Sequence, residues 1–181
     1  ATKRLNAYKE LKINDPVNPN TVNATIRVDA VDKSSAADGI ADIKLLDYVV
    51  NGTNFTINNV LIVYFNNSGS NSITLVNNTK INVTHLNGST TLTDGMPVDA
   101  YEYSRFLPNN TFWNGTMKDG DYLVISYRFN ITATGTYTIP MQVFGVDPAT
   151  GEQISSSAFG VVHVTIPELA KPFEIEDSNL T

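Results

Sequence analysis

The chain has 181 residues, a net charge of −6 and no cysteine, which excludes disulfides, thiolate chemistry and cysteine-bound zinc. Charged residues make up only 17% of it, against about a quarter in an ordinary soluble domain, and the basic ones are scattered, which argues against a nucleic-acid partner. No apolar run approaches the roughly 20 residues that a membrane helix needs; the longest is Val60 to Phe65.

The length suits one large domain or two small ones, with a core that needs no staples. No signal peptide is visible, so a secreted chain is expected to begin at Ala1 after cleavage. Few carboxylates and amines also mean little charge built up in an acidic medium.

Residues 1–13 alternate. Leu5, Ala7, Leu11 and Ile13 share one parity, interrupted by Lys9; Arg4, Asn6, Tyr8, Glu10 and Lys12 share the other. A strand is expected here, with a short helix as the alternative, because Leu5, Tyr8 and Leu11 also recur near helical spacing. Asn14 to Asn20 then carries Pro16 and Pro19 among turn formers, a linker or sharp corner that disfavours a tight hairpin. The predicted organisation is an arm and linker over residues 1–20 and a body over residues 21–181.

The body opens with Thr21 to Val31, where Val22, Ala24, Ile26 and Val28 point one way and Asn23 the other. Ile40 to Val50 is too continuously apolar for a strand with one wet face. Val60 to Phe65 is apolar on both parities, as in a doubly buried strand or a contact surface. Asn66 to Asn71 reads as a turn, and Ile73 to Val76 with Lys80 to Leu86 as a hairpin about Asn77, Asn78 and Thr79. Val98 to Leu107 is a predicted strand.

The clearest run is Tyr122 to Val146. Leu123, Ile125, Tyr127, Phe129 and Ile131 alternate with polar residues, Ala133 to Gly135 turns, and Tyr137, Ile139, Met141 and Val143 resume the alternation. A long β-hairpin with one wet face is expected. Asp147 to Gly151 marks another turn, Ile154 to Ile166 the last strand, and Pro167 to Thr181 an extended tail. With no long capped helix and turn signals every eight to twelve residues or so, the expected fold is all-β, an immunoglobulin-like β-sandwich with an extended N-terminal strand.

Eleven N-glycosylation acceptor patterns occur, at Asn23, Asn51, Asn54, Asn66, Asn77, Asn82, Asn87, Asn109, Asn114, Asn130 and Asn179. Shuffling this composition would give about four. Asn23, Asn82 and Asn130 fall on the polar parity of their strands. An accidental excess in an Asn/Thr-rich surface is the plainer alternative. Covalent N-glycans would place the chain outside the cell, on its surface or shed from it.

Chemistry is sparse. His85 and His163 are the only histidines, without a cysteine or a nucleophile elbow nearby, and each is better read as a structural side chain. The pair Asp119 and Asp121 lacks the spacing of a calcium loop and is better read as a turn entering a strand. Trp113 and its aromatic neighbours would suit a sugar platform, but aromatics at alternating positions are more often core. The residues point to no enzyme, no metal and no cofactor.

The arm at residues 1–13, the proline-bearing linker at 14–20 and the sequon-dense body together resemble the subunits of archaeal extracellular thread filaments of the Sulfolobales type. That resemblance implies a glycosylated β-sandwich that polymerises head to tail with identical neighbours, by donor-strand complementation, for adhesion or biofilm. Leu5, Ala7, Leu11 and Ile13 would be the donor face. Lys9 on the apolar parity departs from a purely apolar donor. The alternatives are a surface-layer or carbohydrate-binding sandwich, and an arm that pairs within its own subunit.

Overall fold

A computed structural model describes residues 2–13, 17, 20–49, 56–66, 69, 71–82, 99–102 and 115–167. Nine strands are described, with no α-helix among those residues. They are β1 (Lys3–Lys12), β2 (Thr21–Asp32), β3 (Ala41–Val49), β4 (Thr56–Asn66), β5 (Asn71–Asn82), β6 (Asp99–Glu102), β7 (Tyr122–Asn130), β8 (Gly135–Val146) and β9 (Gln153–Val164). Two antiparallel sheets result, one in the order β1-β2-β7-β4-β5 and the other β6-β3-β8-β9. The fold is the all-β sandwich that the alternation predicts.

The period of two decides which residues meet between the sheets. Val22, Ala24, Ile26, Val28 and Ala30 of β2 are buried, as are Leu123, Ile125, Tyr127 and Phe129 of β7. Ile139, Met141 and Val143 of β8 and Leu45 of β3 close over them from the other sheet. β4 splits by parity: Val60, Ile62 and Tyr64 are buried, while Leu61, Val63 and Phe65 are half-buried on the outer face.

Two sequence expectations change. The run Tyr122 to Val146 is not a hairpin. β7 pairs with β2 and β4, whereas β8 pairs with β3 and β9. The turn after Asn130 therefore carries the chain from one sheet to the other. Alternation reports which face is buried, and says nothing of which strand lies alongside.

β5 runs unbroken through Asn77, Asn78 and Thr79, and pairs with β4 rather than folding on itself. β4 ends at Asn66 and β5 begins at Asn71, paired with each other on either side of the other predicted turn. The β4–β5 register shifts between Ile57 and Val60 and again around Ile62, so irregularities absorb what the turn-forming residues suggested. The parts of the predicted elements at 83–98 and 103–114, and the tail beyond Pro167, lie outside the described residues.

Residues 3–12 lie against the body of their own chain. β1 pairs along its whole length with β2, from Lys3 opposite Asp32 to Lys12 opposite Asn23. β1 and β2 are antiparallel, and the eight residues 13–20 join them. The mixed continuity of residues 40–50 has a local cause too. Asp42 takes a φ of 53°, and the β3–β8 register shifts between Ala41 and Lys44.

Candidate functional site

The site is the cleft that β1 fills. β1 is the edge strand of its sheet, and β9 is the edge of the other; the two pack against each other along one side of the sandwich. The outward residues Arg4, Tyr8, Glu10 and Lys12 are exposed. The inward parity is Lys3, Leu5, Ala7, Lys9 and Leu11. Leu5 and Leu11 are buried in the core cluster, with Ala7 and Ile13 packed partly against it. All four residues of the expected donor face thus lie together, in their own subunit.

Gly160 of β9 makes that packing possible. A Cβ built there would lie 2.7 Å from Leu11 Cγ and 3.2 Å from the Leu11 backbone nitrogen. The close approach of the two edges requires a residue without a side chain.

Lys9 does not interrupt the inward face; it belongs to it. Its amine crosses the interior and donates to Oδ1 of Asp47 on β3, in the opposite sheet. Both side chains are fully buried. Tyr127 of β7 donates its hydroxyl to the other carboxylate oxygen of Asp47, and the Pro140 carbonyl lies 3.4 Å from the amine. Lys9, Asp47 and Tyr127 thus join three strands through one carboxylate. Burial pushes the amine of Lys9 down from its ordinary pKa, and the charge and hydrogen bond of Asp47 oppose that only in part.

Lys3 makes a second anchor six residues earlier. Its amine donates to Asp38 Oδ1 at 2.5 Å, the Gly39 carbonyl at 2.8 Å and Asp147 Oδ1 at 2.9 Å. Asp32 lies at 3.9 Å. Burial alone would lower this amine's pKa, but the hydrogen bonds to Asp38 and Asp147 and the charges of Asp147 and Asp32 outweigh it, so the net direction is up.

Asp32 also organises the loop after β2. It accepts from the Ser34 amide at 2.9 Å, the Ser34 hydroxyl at 2.5 Å and the Gly39 amide at 2.8 Å. Burial works to raise its pKa, yet these bonds, with the Lys3 charge, hold it below the ordinary carboxylate value.

The two anchors were only half visible in the sequence. Asp47 stands alone among the apolar residues Ile43, Leu45 and Leu46, as Lys9 stands alone in β1. One charge on an apolar parity reads as an error in the pattern. Two of opposite sign, in different strands, are the signal that could have paired them.

The remaining candidates resolve differently. Among the described acceptor asparagines, Asn23 and Asn130 lie on the outer parity of β2 and β7, half-exposed. Thr21 donates to Asn130 Oδ1 at 3.2 Å. Asn66 closes β4; its Oδ1 is buried without a hydrogen-bond partner. Asn77 and Asn82 lie in β5. Asn51, Asn54, Asn87, Asn109, Asn114 and Asn179 lie outside the described residues, as do His85 and Trp113.

His163 is exposed, and its Nδ1 is 2.7 Å from the Thr136 hydroxyl. Asp119 accepts from the Asp32 amide at 2.9 Å. Asp121 accepts from the Lys118 amide at 2.9 Å and from the Tyr64 hydroxyl. The Asp119–Asp121 segment is therefore a structural turn, with Gly120 at a φ of 84°. Among the described residues, no group of acidic and histidine side chains could hold a metal ion, and no helix is long and apolar enough to cross a membrane.

No protein-family model matches the chain, and no curated protein matches it. Among solved structures it is similar to the full-length major pilin SpaD of Corynebacterium diphtheriae, with a TM-score of 0.48 and 14% identity over 88% of this chain and 35% of that one. It is also similar to ACE19, the collagen-binding subdomain of the Enterococcus faecalis surface protein ACE (TM-score 0.42, 9% identity, 88% of this chain and 95% of that one). A third neighbour is AggA, the major subunit of the aggregative adherence fimbriae type I of Escherichia coli (TM-score 0.35, 13% identity, 91% and 93%). These neighbours are pilin and adhesin subunits. The likenesses are distant, and function has to be argued from the chain's own geometry.

Proposed function

We propose that this protein is the repeating subunit of a glycosylated extracellular filament for adhesion or biofilm. Its copies join head to tail when the strand Lys3–Lys12 of one enters the cleft of the next. The observation that carries this reading is the position of β1. It is an edge strand, and its inner face is set into the core between β2 and β9. A cleft vacated by β1 would expose apolar side chains and an unpaired ladder along β2, which another strand of the same sequence could complete. Leu5 and Leu11 alone would bring roughly 3–6 kcal/mol to such a contact before ordering costs.

The contact is heterologous, so it need not close on itself and generates an open fibre. The outward parity of Asn23 and Asn130 supports sugar on the wet face of the same sheet. The expected test result is filaments by electron microscopy of the protein shed from its cells, with an intact mass above the bare 19.8 kDa. A synthetic peptide of residues 1–13 should shorten those filaments, and the same peptide with Leu11→Asp should not. A chain that stays monomeric at every concentration, at its bare mass, would end this reading.

One observation favours a second reading, a carbohydrate-binding or surface-layer module. On the outer face of the five-stranded sheet Phe65 stacks on Tyr122 with centroids 4.6 Å apart, and the Arg27 guanidinium lies 4.0 Å over the Tyr122 ring. Retention on a polysaccharide column, lost on Tyr122→Ala, would support it.

A further inference from the structure

The inward face of β1 reads Lys3, Leu5, Ala7, Lys9, Leu11. A purely apolar donor strand would satisfy a cleft in several registers, because each shift of two residues presents the same face again. This strand cannot slide that way. A slip of two residues in one direction puts Lys3 into the Leu5 pocket, Ala7 opposite Asp47, and Lys9 against Gly160 where Leu11 belongs. A slip of two in the other direction sets Leu5 among Asp32, Asp38 and Asp147, and Leu11 opposite Asp47. A slip of six would bring Lys9 to the site of Lys3, but by then most of the strand lies outside the cleft. Reversing the strand in place also mismatches both charges, and the reversed register that restores them puts Ala7 in the Leu5 pocket and leaves the Leu11 pocket without a leucine. A slip or an in-place reversal buries an amine without its carboxylate or removes the amine from the buried Asp47.

We infer that Lys3 and Lys9 are a register and identity code, by which the cleft accepts residues 3–12 of a second copy of this chain in one alignment and rejects other edge strands. The inference rests on the strand-exchange reading above, and it names the partner and what selects it. The acceptor half of the code is Asp47 with Tyr127 at one end, and Asp38, Asp147 and the Gly39 carbonyl at the other. The division of labour is physical. Leu5 and Leu11 supply affinity and are blind to register; the two amines contribute little net affinity and forbid the wrong alignments.

The chain has no cysteine, so any introduced pair reports unambiguously. Tyr8 lies opposite Arg27 in the ladder, and both are exposed. Full-length Tyr8→Cys chains are mixed under assembly conditions with full-length Arg27→Cys chains, or with Thr25→Cys chains, whose cysteine reports a two-residue slip. The expected result is a mixed disulfide dimer at Arg27→Cys that exceeds the one at Thr25→Cys by about tenfold or more. In a background of Lys3→Met, Lys9→Met and Asp47→Leu, the preference should fall to about threefold or less. If that background keeps the native preference, the code is wrong although strand exchange stands. If no mixed dimer forms at either position, while Tyr8→Cys with Arg27→Cys in one chain closes on itself, strand exchange fails and the inference with it.

A charge reversal gives an independent readout. Chains carrying Lys9→Asp and chains carrying Asp47→Lys should each fail to assemble alone and should co-assemble when mixed, since each arm then matches the other's cleft. Assembly of either variant alone at the parent's level would overturn the inference.

Discussion

Lys9 costs the closed subunit free energy, because burial disfavours its charge more than Asp47 restores it. That sets an asymmetry for mutation. Lys9→Met alone leaves Asp47 buried without its amine and should destabilise the chain by about 3–5 kcal/mol. Lys9→Met with Asp47→Leu and Tyr127→Phe replaces the pair and the hydroxyl that donates to it by apolar volume and should be neutral or stabilising by about 1–4 kcal/mol. Urea unfolding of the single and triple variants checks both. A single variant as stable as the parent would mean that the carboxylate is not held in a dry site.

The carboxylates around Lys3 set a different dependence. Asp32 and Asp147 both lie below the ordinary value of 3.8. For Asp147 the main cause is the Ala149 amide, followed by the Lys3 amine. A depressed carboxylate contributes stability that is complete above its unfolded pKa and is lost as pH falls through its folded one. Stability to thermal unfolding should therefore fall most steeply below about pH 4. Asp32→Asn should lower the plateau and flatten this acid limb. An acid limb left unchanged by the substitution would remove Asp32 from its cause.

At the scale of elements, what was legible was the facing of each strand. The parities of β2, β7 and β8 follow directly from where Val22, Leu123 and Ile139 stand in the alternation. Partnership was not legible, because it is set by the cross-sheet packing of the whole core. Hence β7 and β8 read as a hairpin although they belong to opposite sheets. Lys9 looked like a flaw in β1 because its partner is in β3, 38 residues on. Asn77 to Thr79 looked like a turn because turn propensity yields to a neighbouring ladder. Nothing in β9 announced that Gly160 faces Leu11. Gly160→Val should push β1 off the sandwich, costing about 1–3 kcal/mol if the strand stays seated under strain. Hydrogen exchange at residues 3–12 reads this directly: protection should fall there and persist in β7. Uniform protection across both strands would mean the two edges have room to spare.

At the scale of the molecule, a β-sandwich follows from the pattern of the chain, while assembly on the filament reading would depend on one reversible event, the departure of β1. The eight residues from 13 to 20 keep the released strand close to its own cleft. A tether this short holds its end at an effective concentration in the millimolar range. On the filament reading, each subunit is thus its own competitive inhibitor, and a neighbour's strand must outbid a rival that never diffuses away. Dilute subunits would stay closed and silent. Fibre growth would begin only where secretion crowds them, or where an already open end offers a cleft that has no strand of its own to reclaim it.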